Sequence, residues 1–227
     1  MITTVVFDLD DTLYDEIDYC RSGFAAVADY LGAIPDNPSS ESIFEALWQQ
    51  FTAGNRTRTF NAALEKLGLP CQDNLIEELV SVYRNHKPTI TLPAESRETL
   101  HKLSRKYILG LLTDGYLPAQ RLKVEALGIE QFFRCIIYTE QLGREFWKPS
   151  PAGFQKLLDS IGQRPENMVY VADNALKDFI APNRLGAVTI QITRPRRLHR
   201  ESADQQDGVP KYKISTISQL PALLERI

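Results

Sequence analysis

The sequence predicts an α/β protein, a doubly wound parallel sheet with an all-helical segment inserted after its first strand. Three observations carry that reading. Val5-Val6-Phe7 is an uninterrupted apolar run, the pattern of a strand covered on both faces. From Glu16 to about His86 apolar residues recur only at helical spacing. Beyond Pro88, short apolar strands alternate with helices, which implies βαβ units in a parallel sheet.

Taken in order, the first strand spans 3–7. Helical spacing then appears in Phe24-Val27-Ala28-Leu31, Ile43-Leu47-Trp48-Phe51, Phe60-Ala63-Leu64-Leu67 and Leu75-Leu79-Val80-Tyr83. Pro35, Pro38, Gly54 and Gly68-Leu69-Pro70 punctuate these helices. Trp48 and Phe51 suit the core of that block better than a ligand box. Residues 94–106 read as a helix and 107–112 as a buried strand. A helix over 118–127 ends near Gly128, and 135–138 is a strand. Ser150-Pro151 opens a helix reaching about Ile161, with Gly162 as its stop. A strand at 168–172, a helix at 176–185 and a strand at 188–192 follow. Residues 194–210 read as a polar loop, 212–214 as an edge strand and 217–226 as a closing helix. The expected organisation is a core of 1–15 and 88–227 around a helical block of 16–87. No internal repeat is present.

The chain has 227 residues, 43% hydrophobic and 24% charged, with a formal net charge of −3. Such a composition excludes a disordered chain and argues against general binding to nucleic acid or a membrane surface. No apolar run reaches membrane-spanning length, and Asp8 interrupts the apolar start, so neither a membrane anchor nor a secretory signal is expected. Cys20, Cys71 and Cys135 form no CxxC or zinc pattern and read as reduced thiols of a cytoplasmic protein. His86, His101 and His199 lack metal-ligand spacing. No GxSxG, P-loop or GxGxxG pattern supports serine hydrolysis, ATP cradling or dinucleotide binding. Composition leaves the oligomeric state open.

In doubly wound sheets the working residues stand beyond the carboxyl ends of the strands. Asp8, Asp10 and Asp11 follow the first strand, and Thr113-Asp114-Gly115 the second. Lys148-Pro149 lies beyond the third, and Asp173-Asn174, with Asp178 five residues on, follows the fourth. Asp8 and Asp10, at i and i+2, face one site if the extended backbone continues. Two carboxylates at roughly 4 Å repel by about 4 kcal/mol at an effective dielectric near 20. Mg²⁺, a hard cation that takes oxygen ligands, reverses that sign, and Asp173 adds a further oxygen. Lys148 brings positive charge and the Thr113 hydroxyl a donor, parts suited to phosphoryl transfer. Asp8 is then the nucleophile that forms an aspartyl phosphate, and Asp10 the acid/base. Asp114 suits a turn whose N–H reaches phosphate. Arg56, in the loop Asn55-Arg56-Thr57-Arg58, is a candidate donor to a phosphorylated substrate, an exposed helix start being an equally good reading. Tyr14, Glu16, Tyr116 and Gln120 are candidate entrance residues. Arg194, Arg196, Arg197, His199 and Arg200 read as a solvated loop.

The set Asp8-Leu9-Asp10-Asp11-Thr12, Thr113-Asp114-Gly115, Lys148-Pro149 and Asp173-Asn174 with Asp178 resembles the haloacid dehalogenase superfamily over essentially the whole chain. The resemblance implies a Rossmann-like core with a helical cap inserted after the first strand. It implies that Asp8 and Asp173 meet Mg²⁺ through side chains and Asp10 through its backbone carbonyl. It further implies that Thr12 supports the first loop, Thr113 binds phosphate and Asp178 orients Lys148 or a metal-bound water. Halide-removing members lack an aspartate at position 10, so Asp10 favours a phosphatase or a phosphomutase. Asp11 and Ala172 stand where many members have glycine. The expected activity is Mg²⁺-dependent hydrolysis of a small phosphorylated metabolite, a sugar phosphate or a nucleotide monophosphate. The alternatives are a phosphomutase and, from another class, a phospho-accepting receiver module. A receiver accepts its phosphoryl group on a later strand and carries no inserted cap.

Overall fold

The apolar run at the amino terminus forms β1 (Thr4–Phe7), a strand with every residue buried. A computed structural model describes residues 1–203 and 206–227. The chain divides into two units, Met1–Ile17 with Thr91–Ile227, and Asp18–Ile90.

Five helices separate β1 from the next strand: α1 (Glu16–Gly32), α2 (Ser40–Thr52), α3 (Thr59–Leu67), α4 (Asp73–Asn85) and α5 (Ala94–Leu103). In the Asp18–Ile90 unit, aromatic rings gather on Phe24, with centroids of Phe51 at 5.3 Å, Tyr83 at 5.4 Å, Phe60 at 6.1 Å and Trp48 at 6.5 Å. Phe51 thus packs as core, with the half-buried Trp48 at its flank. Ser39 caps α2 by accepting from the Ser42 N–H, and Gly68 ends α3 in a left-handed conformation.

The other unit alternates strand and helix. β2 (Ile108–Thr113), α6 (Ala119–Leu127), β3 (Cys135–Tyr138), α7 (Ala152–Ile161) and β4 (Met168–Ala172) are followed by α8 (Ile180–Arg184), β5 (Val188–Ile192), β6 (Tyr212–Ile214) and α9 (Leu220–Leu224). The six strands form one parallel sheet in the order β3-β2-β1-β4-β5-β6. Phe7 pairs with Leu111 on one side and Val171 on the other, so β1, β2 and β4 end at nearly one level. The chain leaves β1 toward β2 and later returns to β4 on its opposite edge. The reversal of strand order therefore falls between β1 and β4, where such sheets place their crevice. Val6, Leu112, Phe154, Leu157, Tyr170 and Phe179 build a core layer against this sheet.

Three helices are shorter than the apolar spacing suggests, the one expected over 94–106 ending at Leu103. The helix expected over 176–185 is helical only from Ile180 to Arg184. Asn174 Oδ1 accepts from Leu176 N at 3.0 Å, and Asn174 N donates to Asp178 Oδ2 at 2.9 Å, so side chains hold residues 174–178 as a turn. The closing helix begins as a 3₁₀ turn, Ile217–Gln219, before α9. The loop expected over 194–210 includes residues 204 and 205, which lie outside the described residues.

Candidate active site

Asp8 leaves β1 with its N–H bonded to the Val171 carbonyl at 2.9 Å, which sets it beside the end of β4. Asp173 follows β4, and its carbonyl accepts from Gln191 Nε2 at 2.9 Å. The 174–178 turn then brings Asp178 back into the same place. One carboxylate oxygen from each of Asp8, Asp173 and Asp178 lies within 4.8 Å of the others, and all three residues are buried. Lys148 Nζ sits 2.8 Å from Asp8 Oδ1, 2.7 Å from Asp178 Oδ1 and 3.1 Å from the Tyr170 hydroxyl.

The charges in this cluster do not balance. Three carboxylates face one ammonium, and Asp173 Oδ2 is buried without a hydrogen-bond partner. Burial pushes the Asp173 carboxyl up to about 10, and Asp178 and Asp8 add to the push. Burial likewise raises Asp8 to about 7, although Lys148 pulls the other way. Burial opposes the charge on Lys148, yet Asp178 and Asp8 hold its ammonium well above the usual range. A divalent cation among the three carboxylates would offset the excess of two negative charges. An all-oxygen donor set with an unpartnered buried oxygen fits Mg²⁺.

Asp10 keeps separate company. Lys123 Nζ lies 2.9 Å from both of its oxygens, Gln120 Nε2 donates to Oδ2 at 2.8 Å, and the Tyr14 hydroxyl donates to Oδ1. Burial works to raise this carboxyl, but Lys123 and the donors from Tyr14 and Gln120 outweigh it and hold the group below the usual carboxylate range. Gln120 Nε2 also donates to Thr113 Oγ1 at 2.6 Å. Tyr14 and Gln120, expected at an entrance, are instead buried struts around Asp10.

Asp114 accepts from the Thr139 hydroxyl at 2.8 Å and the Lys148 N–H at 3.2 Å, and its other oxygen pairs with Lys177 at 3.0 Å. Its side chain thus ties the ends of β2 and β3 to the 174–178 turn. Asp8, Asp10, Glu16, Asp114, Trp147, Asp173, Asn174, Lys177 and His199 line one pocket. Burial drives Glu16 up to about 8, and neighbouring Asp10 reinforces it. Arg56 lies in the Asp18–Ile90 unit, exposed, with its guanidinium 5.6 Å from the Phe51 ring centroid.

The basic stretch is not a wholly solvated loop. Arg194 is buried and pairs with Asp15 at 2.6 Å and Glu95 at 3.6 Å, while the Leu198 N–H donates to Asp11 Oδ2 at 2.6 Å. This carries His199 to the pocket. Lys123, Lys177, Trp147 and His199 are site residues that motif spacing did not select.

The model of the haloacid dehalogenase-like hydrolases matches residues 5–192. The chain belongs to that family. Over 97% of its length it is 30% identical to a glyceraldehyde 3-phosphate phosphatase of Methanopyrus kandleri, covering 96% of that protein. An N-acylneuraminate-9-phosphatase of Rattus norvegicus is 27% identical over 100% of this chain and 95% of its own. A magnesium-bound haloacid dehalogenase-like hydrolase of Bacillus subtilis, 20% identical, shares the fold with a TM-score of 0.69, each chain covered over 98%. Full-length family relatives that are phosphatases, with the helical insert between β1 and β2, identify this chain as a phosphatase-type enzyme of the family with a helical cap. Among the described residues no helix is long and apolar enough to cross a membrane.

Proposed function

We propose that this enzyme is a Mg²⁺-dependent phosphatase of sugar phosphates that works through an aspartyl phosphate on Asp8. The carrying observation is the buried trio Asp8, Asp173 and Asp178 with its single lysine and one unpartnered oxygen, a cluster two positive charges short. The sugar-phosphate class is supported by relatives named for glyceraldehyde 3-phosphate, N-acylneuraminate 9-phosphate and ribulose 1,5-bisphosphate.

Asp8, Asp173 and Asp178 would hold the cation, with the Asp10 carbonyl as the family resemblance implies. When bound, Mg²⁺ supplies charge that offsets the carboxylates and the phosphoryl oxygens. A carboxylate oxygen of Asp8 attacks phosphorus, and the bond from phosphorus to the ester oxygen breaks. Asp10, ionised in the free enzyme, takes a proton from solvent as the phosphate dianion enters beside it and gives that proton to the departing oxygen, so the sugar leaves as an alcohol. Thr113 turns its hydroxyl proton from the Asp114 carbonyl, 3.4 Å away, to a phosphoryl oxygen, while Gln120 goes on donating to Thr113 Oγ1. Asp10, now ionised, removes a proton from the incoming water, the bond from phosphorus to Asp8 breaks, and inorganic phosphate leaves. Lys148 stays between Asp8 and Asp178, holding the nucleophile in place.

The test is phosphate release from a panel of sugar phosphates in Mg²⁺ and in EDTA, with mass spectrometry of acid-quenched enzyme. Release should require Mg²⁺, and the phosphoryl adduct should map to Asp8 and vanish in Asp8→Asn. An adduct elsewhere, or full release in chelator, overturns the reading.

A further inference from the structure

We infer that Lys123 and Gln120 are positioning residues that aim the Asp10 carboxylate at the departing oxygen and couple it to the phosphate-binding Thr113. This rests on the reading of Asp10 as the acid/base. Both residues lie on α6 three positions apart, hence on one helix face. Both are buried, at 3% and 2% exposure. Lys123 Nζ spans both Asp10 oxygens at 2.9 Å, with Glu16 Oε1 at 3.8 Å. Gln120 Nε2 reaches Asp10 Oδ2 at 2.8 Å and Thr113 Oγ1 at 2.6 Å.

A buried ion pair is a poor route to stability, since apolar replacements of similar volume are often as stable or more so. What it does provide is a fixed carboxylate plane, with Lys123 and Tyr14 on one oxygen and Lys123 and Gln120 on the other. Two of the three carboxylates of the first motif therefore have a lysine each, Lys148 for Asp8 and Lys123 for Asp10. Gly115, on a backbone whose φ of +136° already favours glycine, also leaves Gln120 its space. A Cβ there would lie 2.8 Å from Gln120 Cδ, so the third residue of Thr113-Asp114-Gly115 leaves room for the bridging amide.

Positioning and plain stabilisation differ in how they respond to the leaving group. An alkyl phosphate needs its leaving oxygen protonated, whereas p-nitrophenyl phosphate releases a stable anion and needs little help. The quantity to compare is kcat/KM, which covers the steps through leaving-group departure. With Mg²⁺-loaded full-length enzyme, Lys123→Met should lose about 100-fold on glycerol 3-phosphate and under about 10-fold on p-nitrophenyl phosphate. The loss should fall on kcat rather than KM, and Lys123→Arg should recover most of it. If circular dichroism shows Lys123→Met unfolded, Gln120→Ala carries the same comparison, with the same bias expected. Equal losses on both substrates overturn the proposal. Asp10→Asn, assayed alongside, separates the two readings. A bias in Asp10→Asn without one in the α6 variants sinks only the positioning role. No bias in Asp10→Asn sinks the acid itself and the positioning role with it.

Discussion

Asp11 shows what one position contributes to the site. Its backbone is left-handed, with φ of +52°, a conformation that costs a residue with a Cβ. Its carboxylate offsets that cost by accepting from the Glu16 N–H at 2.9 Å and the Leu198 N–H at 2.6 Å, joining the first loop to the 194–198 strap. Asp11→Ala keeps the strain and loses both bonds, and should destabilise by about 2–3 kcal/mol. Asp11→Gly relieves the strain and should cost about 1 kcal/mol less, which urea unfolding of the two variants will resolve. Asp173 obeys the opposite logic. Burial, with Asp178 and Asp8 beside it, forces this carboxyl to take up a proton on folding, so Asp173→Asn should raise the melting temperature of metal-free protein by a few degrees. The same variant should lose the stabilisation that Mg²⁺ gives the wild type. Thermal scans in EDTA and in Mg²⁺ check both signs, and a variant that still gains from Mg²⁺ would exclude Asp173 as a ligand.

At the scale of elements, α7 approaches β2 closely because Gly110 has no side chain. A Cβ there would meet Leu157 Cδ1 at 3.1 Å and Val6 Cγ2 at 3.3 Å. Gly110→Ala should therefore cost about 1–2 kcal/mol by overpacking, and much less in a Leu157→Ala background, as a double-mutant cycle of unfolding energies will show. Strands such as Cys135–Tyr138, Met168–Ala172 and Val188–Ile192 are legible in the sequence because each is a short apolar run inside a parallel sheet. The meeting of Asp8, Lys148 and Asp173 was legible for the same reason, since parallel strands bring their carboxyl ends to one edge, whereas the place of Asp178 beside Lys148 came only from the family resemblance. What stayed hidden depends on tertiary partners. The apolar spacing of 176–185 suggested a full helix, but Asn174 Oδ1 takes the Leu176 N–H, and Pro182 has no N–H to give the Asp178 carbonyl four residues back. Lys123 on α6 reads as an ordinary surface lysine until Asp10 is brought opposite. Its spacing of three from Gln120 was the one available signal. Arg194 likewise reads as solvated until Asp15 and Glu95 meet it.

For the whole molecule, the charge cluster ties stability to pH and metal together. Asp8, Glu16 and Asp173 have carboxyls raised to about 7, about 8 and about 10. Between the ordinary carboxylate range and those values the folded chain binds more protons than the unfolded chain. Stability then falls as pH rises through that window. Asp10 and Asp114 are held low, so the stability they contribute is present above the ordinary carboxylate range and is lost only as pH drops through their depressed values. Lys148 and Lys177 are held high, and what they contribute is complete until pH climbs past the ordinary lysine range. These four leave the slope from about pH 5 to about pH 8 to the raised carboxyls. Metal-free protein should accordingly melt lower at about pH 8 than at about pH 5. A cation competes with protons for the same oxygens, so the stabilisation by saturating Mg²⁺ should grow over that range as the carboxyls ionise. Thermal unfolding at several pH values, in EDTA and in Mg²⁺, measures the gap directly. A gap that stays flat or narrows with rising pH would mean that Asp8 and Asp173 are not the groups that hold the metal.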